Sequence, residues 1–336
     1  MKILKLVVVV LFLSVICIRP AMSQQKTIVL PDDVLLSSAQ LVVNDDYLGI
    51  FDRSQKLFLL YDHETGEFLT KINASDSFPG FNWTPIQPKL LENEVFFTNS
   101  APWGVYITYD NTVTQVAGHK FLATSAYDFV HDSLYIGFYT QHNGEHELRG
   151  VDRDDQLVLR FDKVQLEFPN LAYRSDEKNQ VLYHEDYIYF LSAYTNTIYV
   201  FNLSGQLERS FALDLEGFLK PGRDLRKVPG GNTQKLIQDW VQVTKGRSVV
   251  NRIYALSDNE LLIMGLLGYV DQGKEGFVTR VNFENQNTES KIVGRSDLPS
   301  YVHNGKVYFV NIESEPVIVR VFAFSDYWLN PHNKTY

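Results

Sequence analysis

Residues His184 to Leu213 constrain this chain more than any other stretch. The segment reads as a polar turn, a β run at Tyr187–Leu191, a loop, and a second run at Thr197–Phe201. A tight turn, Asn202-Leu203-Ser204-Gly205, leads into a third run at Leu207–Leu213. Short apolar runs rich in Tyr, Phe, Ile and Val, separated by Asn/Asp/Gly turns, are the signature of antiparallel meanders. With Val181–Tyr183 added in front, the unit has four strands.

The same rhythm recurs along the chain. One unit spans Gln40 to Ile72. A second begins at Pro88–Leu91 and a third at Tyr127–Val130. The unit above is the fourth, and a fifth starts at Arg252–Leu256. The sixth has only Ser300–Val302, Lys306–Val310 and Val317–Phe324, one strand short. An isolated apolar segment, Thr27–Leu30, lies near the N-terminus without a hairpin partner and can supply the missing strand. The pattern therefore predicts an all-β fold, a six-bladed β-propeller with four antiparallel strands per blade. Its ring is closed by Thr27–Leu30 joining the last blade, so that no sheet edge is left open. A blade of about 50 residues fits the usual repeat length. An irregular β-sandwich is the alternative, but it would not produce the same four-strand rhythm six times.

Residues 1–23 read as a targeting segment. Lys2 and Lys5 precede an apolar run from Leu6 to Cys17, too short to span a bilayer comfortably. Ala21-Met22-Ser23 supplies the small residues of a cleavage site, so cleavage is expected after Ser23. A retained membrane anchor is the competing reading. Cleavage removes Cys17, the only cysteine, and leaves residues 24–336 as one domain without disulfide, thiol nucleophile or thiolate-bound metal. The expected location is periplasmic or extracellular. The mature chain carries 28 basic and 40 acidic side chains. That balance argues against a nucleic-acid partner, which needs a basic footprint. No later run is long and apolar enough to cross a membrane.

Asp186-Tyr187-Ile188-Tyr189, followed by Asn196 to Asn202 and Gly205, resembles the NHL-type propeller repeat. Lys56–Asp62 with Gly66, and Leu148–Asp152, are weaker copies. The whole chain resembles the exported NHL-like and TolB-like propellers of Bacteroidota, a group largely without assigned activity. The resemblance implies the fold and an exported setting.

In such a blade, turns alternate between the two faces of the disc. One set is short throughout: Asn44–Asp46, His131–Asp132, Ser257–Asn259 and His303–Gly305. The other set is long: Asn73–Gln87, Tyr139–His146, Asp162–Gln180, Asp214–Asn251 and Leu266–Gly276. Loops of that length in a compact domain usually serve binding or gating. One face is therefore expected to carry the function.

The chemistry on that face offers two platforms. Phe81, Trp83 and Trp103 sit in neighbouring loops and either stack on a sugar, aromatic or peptide group or pack the loops onto the blades. Tyr139 and Tyr194 join them as candidates. The insertion at 214–251 holds Arg223, Arg226 and Lys227, then a helix expected over Thr233–Val243. It is either a lid whose cations attract a carboxylate or phosphate, or a helix packed on the rim. His142 and His146 superficially resemble a metal pair, but a glycine-containing loop does not hold two imidazoles on one face as a helix does.

The leading expectation is a non-enzymatic propeller binding a small molecule, glycan or peptide on its long-loop face, with no cofactor. A lactonase- or lyase-like enzyme with calcium in the central channel is one alternative, and would need three or more carboxylates and amides converging there. A scaffold with a protein partner in an envelope complex is the other.

Overall fold

We analysed a computed structural model. It describes residues 24–74, 85–99, 104–117, 127–140, 146–154, 156–171, 180–225, 233–268, 273–314 and 316–331.

Six four-stranded antiparallel sheets form the ring of a six-bladed β-propeller. Blade one runs through Gln40–Val43, Tyr47–Asp52, Leu57–Asp62 and Phe68–Asn73. Blade two has Pro85–Leu90, Glu94–Asn99, Gly104–Thr108 and Val113–Ala117. Blade three has Tyr127–Val130, Leu134–Thr140, His146–Asp152 and Leu157–Arg160. Blade four has Val181–His184, Tyr187–Leu191, Thr197–Asn202 and Leu207–Ala212. Blade five has Val249–Ser257, Glu260–Leu266, Glu275–Asn282 and Thr288–Gly294. Blade six has Tyr301–His303, Lys306–Asn311 and Ile318–Ala323, and takes its outermost strand from Gln24–Thr27.

That closing strand lies three residues earlier than the sequence suggests. Gln24 pairs with Val321 and Thr27 with Ile318, and the ladder extends by one bond, Ile28 N–H to the Val317 carbonyl at 3.1 Å. Apolar content points to Thr27–Leu30. An outermost strand needs little of it: Ile28 is fully buried, while Val29 is 65% exposed. Backbone pairing with the neighbouring strand decided the register.

The strands are apolar on both faces because each blade is sandwiched between two others. In Thr197–Asn202, Ile198 and Val200 pack towards blade five with Ile253, Leu261 and Phe277, while Tyr199 and Phe201 pack towards blade three with Val130, Ile136 and Leu148. Equivalent clusters lie at every other boundary, so the core is a closed belt between successive sheets.

Gly205, in the last turn of blade four, shows why that turn carries glycine. Its φ is +81°, and a Cβ there would lie 2.2 Å from the Arg160 carbonyl oxygen of blade three. Its own carbonyl accepts from Asp162 N–H at 2.8 Å. Only a residue without a side chain permits both the left-handed backbone and this approach.

Helix α1 (Thr233–Thr244) lies in the connection from blade four to blade five, on the long-loop face. Helix α2 (Phe324–Leu329) follows the last strand on the opposite face. Among the described residues no helix is long and apolar enough to cross a membrane.

Candidate ligand-binding site

The innermost strands meet around the axis and bring charged groups with them. Asp128 of blade three spans three blades. Its Oδ1 accepts from Lys89 Nζ of blade two at 2.8 Å, and its Oδ2 accepts from Tyr183 N–H of blade four at 2.9 Å. Both side chains of the ion pair are largely shielded from water. Tyr301, on blade six, feels the same group. Burial pushes its hydroxyl pKa up, the Asp128 carboxylate pushes it further, and Arg252 opposes the rise. Asp128, Tyr301 and Arg252 therefore share one electrostatic neighbourhood at the axis.

Arg252 is the charged residue in the otherwise mostly apolar first strand of blade five. Its Nη1 donates to the carbonyls of Pro299 (3.2 Å) and Ser300 (2.8 Å), in the connection that enters blade six. These contacts hold the guanidinium against the wall of a cavity of about 150 Å³ lined by Arg252, Arg295, Asn251, Ser300, Leu266 and Leu298, among others. The lining comes from the start of the first strand, the end of the second strand and the blade-to-blade connection, which places the cavity on the long-loop face. Among the described lining residues there are two guanidinium groups and no carboxylate.

The insertion stands beside this region. Its α1 rests on Phe168, Leu171, Tyr194, Val249 and Leu266, with Leu225 and Val243 of the insertion itself completing the cluster. Trp240 and Leu236 pack against that cluster from the helix, whereas Ile237 and Val241 face outward. Arg223 ties the loop to the helix through Asp239, with Nη1–Oδ2 at 3.2 Å and Nη2–Oδ1 at 2.6 Å, and also donates to the Asp224 carbonyl at 2.9 Å. The hydrogen bond to Asp239 raises the Arg223 pKa. Asp224 in turn accepts from Asn170 N–H (3.1 Å) and Nδ2 (2.7 Å). Several polar atoms on this side are buried without a hydrogen-bond partner: Gln180 Oε1, Ser192 Oγ, Thr195 Oγ1, Asp224 Oδ1 and Trp240 Nε1. Such atoms are uncommon in protein interiors, and these five lie at blade four and in the insertion that follows it.

Of the residues singled out from sequence, Tyr194 is fully buried in the seat of α1 and Arg223 is engaged by Asp239. Tyr139 pairs with Glu147, and His146 with Thr140, through the backbone of blade three; their side chains lie outside the described residues. Phe81, Trp83, Trp103, His142, Arg226 and Lys227 lie outside them too. Arg252 and Arg295 were not anticipated. A lone arginine within Val249–Leu256 was the available signal for the first. Arg295 had none, because it reaches the same cavity from the connection that follows the last strand of blade five.

Two features bear on metal chemistry. On the short-turn face, His184, Glu185 and Asp258 bring ligand-type atoms within 4.8 Å of one another, and His184 Nε2 lies 3.0 Å from the Ser257 carbonyl oxygen. At the axis, Asp128 is bonded to Lys89 and to backbone amides. Among the described residues, then, the metal-type group lies at the first turns of blades four and five on the short-turn face.

No family model matches the chain, and no curated protein matches it. Solved structures do. One, from Bacteroides fragilis, is described as a candidate exported protein; it has 11% identity, a TM-score of 0.57, and the match covers 91% of this chain and 96% of that one. A member of the DUF4221 family from Bacteroides vulgatus has 12% identity and a TM-score of 0.56, covering 89% and 95% respectively. At these identities the likeness is one of fold.

Proposed function

We propose that this chain is an exported, non-enzymatic propeller that binds a small ligand, glycan or peptide through an acidic group on its long-loop face. The observation that carries the reading is the cavity between blades five and six, with Arg252 and Arg295 in its wall and no described carboxylate among its lining. In a chain of net charge −9 such a pocket is a local reversal of sign. Guanidinium groups match carboxylate and phosphate geometry. A volume of about 150 Å³ is below the usual range for a whole drug-sized ligand. It suits the charged end of a ligand whose body lies along the face, where Trp83, Trp103 and the Arg226–Lys227 pair are placed by the sequence. In this reading residues 1–23 are a signal peptide, the mature domain is 24–336 in the periplasm or outside the cell, and its repeats are of NHL type.

Calorimetric titration with acidic sugars, short peptides bearing a free C-terminus and simple carboxylates tests the proposal. Binding should be lost in Arg295→Glu and in Ser300→Trp, which fills the cavity, while melting is retained. Binding that survives both variants would refute it.

A further inference from the structure

A second cavity lies on the opposite, short-turn face, where α2 crosses the ends of blades five and six. It measures about 460 Å³, three times the first, and falls within the size range of small-molecule sites. Leu256, Ala323, Phe324, Trp328 and Leu329 supply an apolar wall, and Glu260, Arg280 and Ser325 a polar one. Gly305 also lines it, at φ +66°, and adds no side chain to the space.

The polar wall has a specific form. Arg280 Nε (3.0 Å) and Nη2 both donate to one oxygen of Glu260, Oε1. This leaves Glu260 Oε2 as an acceptor and Arg280 Nη1 as a donor, and among the described residues neither makes another hydrogen bond. The aromatic wall is fixed in place. Trp328 is held by Phe324 (ring centroids 5.5 Å) and by Lys291, whose Nζ lies 4.6 Å from the indole centroid. Lys291 also donates to the Trp328 carbonyl. Lys291 is not part of the cavity wall, so its charge is spent outside the cavity. Leu329, at the rim, is 75% exposed although it is large and apolar.

We propose that this cavity is a second binding site, for a neutral sugar ring. A pyranose presents an apolar C–H face and, around its edge, adjacent hydroxyls that donate and accept at once. The first suits the Phe324–Trp328 wall. The second suits the Oε2 acceptor, the Nη1 donor and the Ser325 hydroxyl of the polar wall. The ion pair is internally neutral, so the wall favours a neutral polar edge over a net charge. The volume admits one or two rings. This site is independent of the arginine pocket of blades five and six, since it opens on the other face and shares no described residue with it.

Methyl glycosides of the common hexoses and N-acetylhexosamines, titrated into the mature protein with detection by tryptophan fluorescence and NMR, test the proposal. At least one glycoside should bind saturably. Ser325→Trp should abolish that binding, and Glu260→Gln should weaken it about tenfold, the loss of one hydrogen bond to a charged group. Both variants should melt with the parent, because Ser325 is exposed and glutamine keeps the Oε1 contact. Arg295→Glu, in the first pocket, should leave glycoside binding unchanged. If no glycoside binds, or binding is indifferent to Ser325→Trp, the proposal fails. It also fails if octanoate or adenosine occupies the cavity in place of sugars.

Discussion

Replacing Asp52 by alanine should cost about 3 kcal/mol of stability. The side chain is fully buried at the end of the second strand of blade one. Its two oxygens gather the backbone amides of Ser37 (2.6 Å), Ser38 (3.1 Å), Ser54 (2.9 Å) and Gln55 (3.1 Å). The Ser54 hydroxyl adds a bond of 2.6 Å, and Ser37, Ser38 and Gln55 side chains add weaker ones. The carboxylate thus pins the segment entering blade one to the loop leaving its second strand. A hydrogen bond to a charged group contributes roughly 1.5–3 kcal/mol, and leaving its buried donors unsatisfied adds to the loss. Ser37, Ser54 and Gln55 are near the surface, so water recovers part of it, which brings the expected net cost to the figure above. At roughly 2–4 °C per kcal/mol the midpoint should fall by roughly 6–12 °C. The pH dependence is a sharper test. Burial alone would raise the Asp52 pKa, but the donors from Ser54, Ser37, Ser38 and Gln55 outweigh it and hold the carboxyl far below the usual carboxylate range. The unfolded chain, with an Asp pKa of about 3.9, therefore takes up the proton first. The stabilisation is complete above that value and drains away as pH falls below it. Thermal melts of parent, Asp52→Asn and Asp52→Ala between pH 7 and pH 2 separate the effects. The difference between parent and variant should be constant from pH 7 to about pH 5 and shrink below about pH 4. A variant that melts within a degree of the parent at pH 7, or a difference that does not change with acid, would refute the reasoning.

Asp128→Ala should destabilise by roughly 3–5 kcal/mol, because it strands the Lys89 ammonium among the inner strands, and Lys89→Met with Asp128→Leu should recover much of that loss in the same melts. Tyr194→Ala should cost roughly 3–5 kcal/mol through a cavity under α1, so a variant that loses ligand yet melts normally would show that Tyr194 acts by contact instead. Gly205→Ala should lower the midpoint by several degrees, with the strain placed at Arg160. The imidazole of His303 is held below its ordinary pKa, chiefly by burial, with Asp45 opposing. Its folded form takes up protons less readily than the unfolded chain, so stability should fall as pH drops below about 6.5, and His303→Gln should flatten that slope. Metal analysis with and without EDTA and added calcium tests the enzyme alternative: no bound ion and no thermal shift are expected.

Much of the fold was legible because its signals are local. Turn residues such as Asn202 and Gly205 and runs such as Thr197–Phe201 mark strand ends without reference to the rest of the chain. Ring closure was legible because the sixth unit lacked a strand. The N-terminal strand closes the last blade as expected, and its three-residue offset arises because its register is set by hydrogen bonds to Ile318–Val321, far along the chain. The site was harder for the same reason. Arg252 and Arg295 reach one cavity from opposite ends of the blade-five sequence, and Glu260 meets Arg280 across strands. Trp328 drew no notice because it lies on a short helix after the last strand, on the face with short turns. Tyr194 and Arg223 looked available in sequence, where nothing signals burial under α1 or a partner sixteen residues away such as Asp239.

Ring closure also has a mechanical consequence. Gln24 begins the closing strand and pairs with Val321, near the end of its neighbour, so both chain ends leave the same sheet at the same edge. A pull on the two ends loads that pair like a zipper, breaking its backbone bonds one after another rather than shearing them together. The belt of interblade packing would meet the load only after this clasp had opened. The ring should therefore yield at small forces when drawn from its ends, and resist larger ones when gripped at turns of opposite blades.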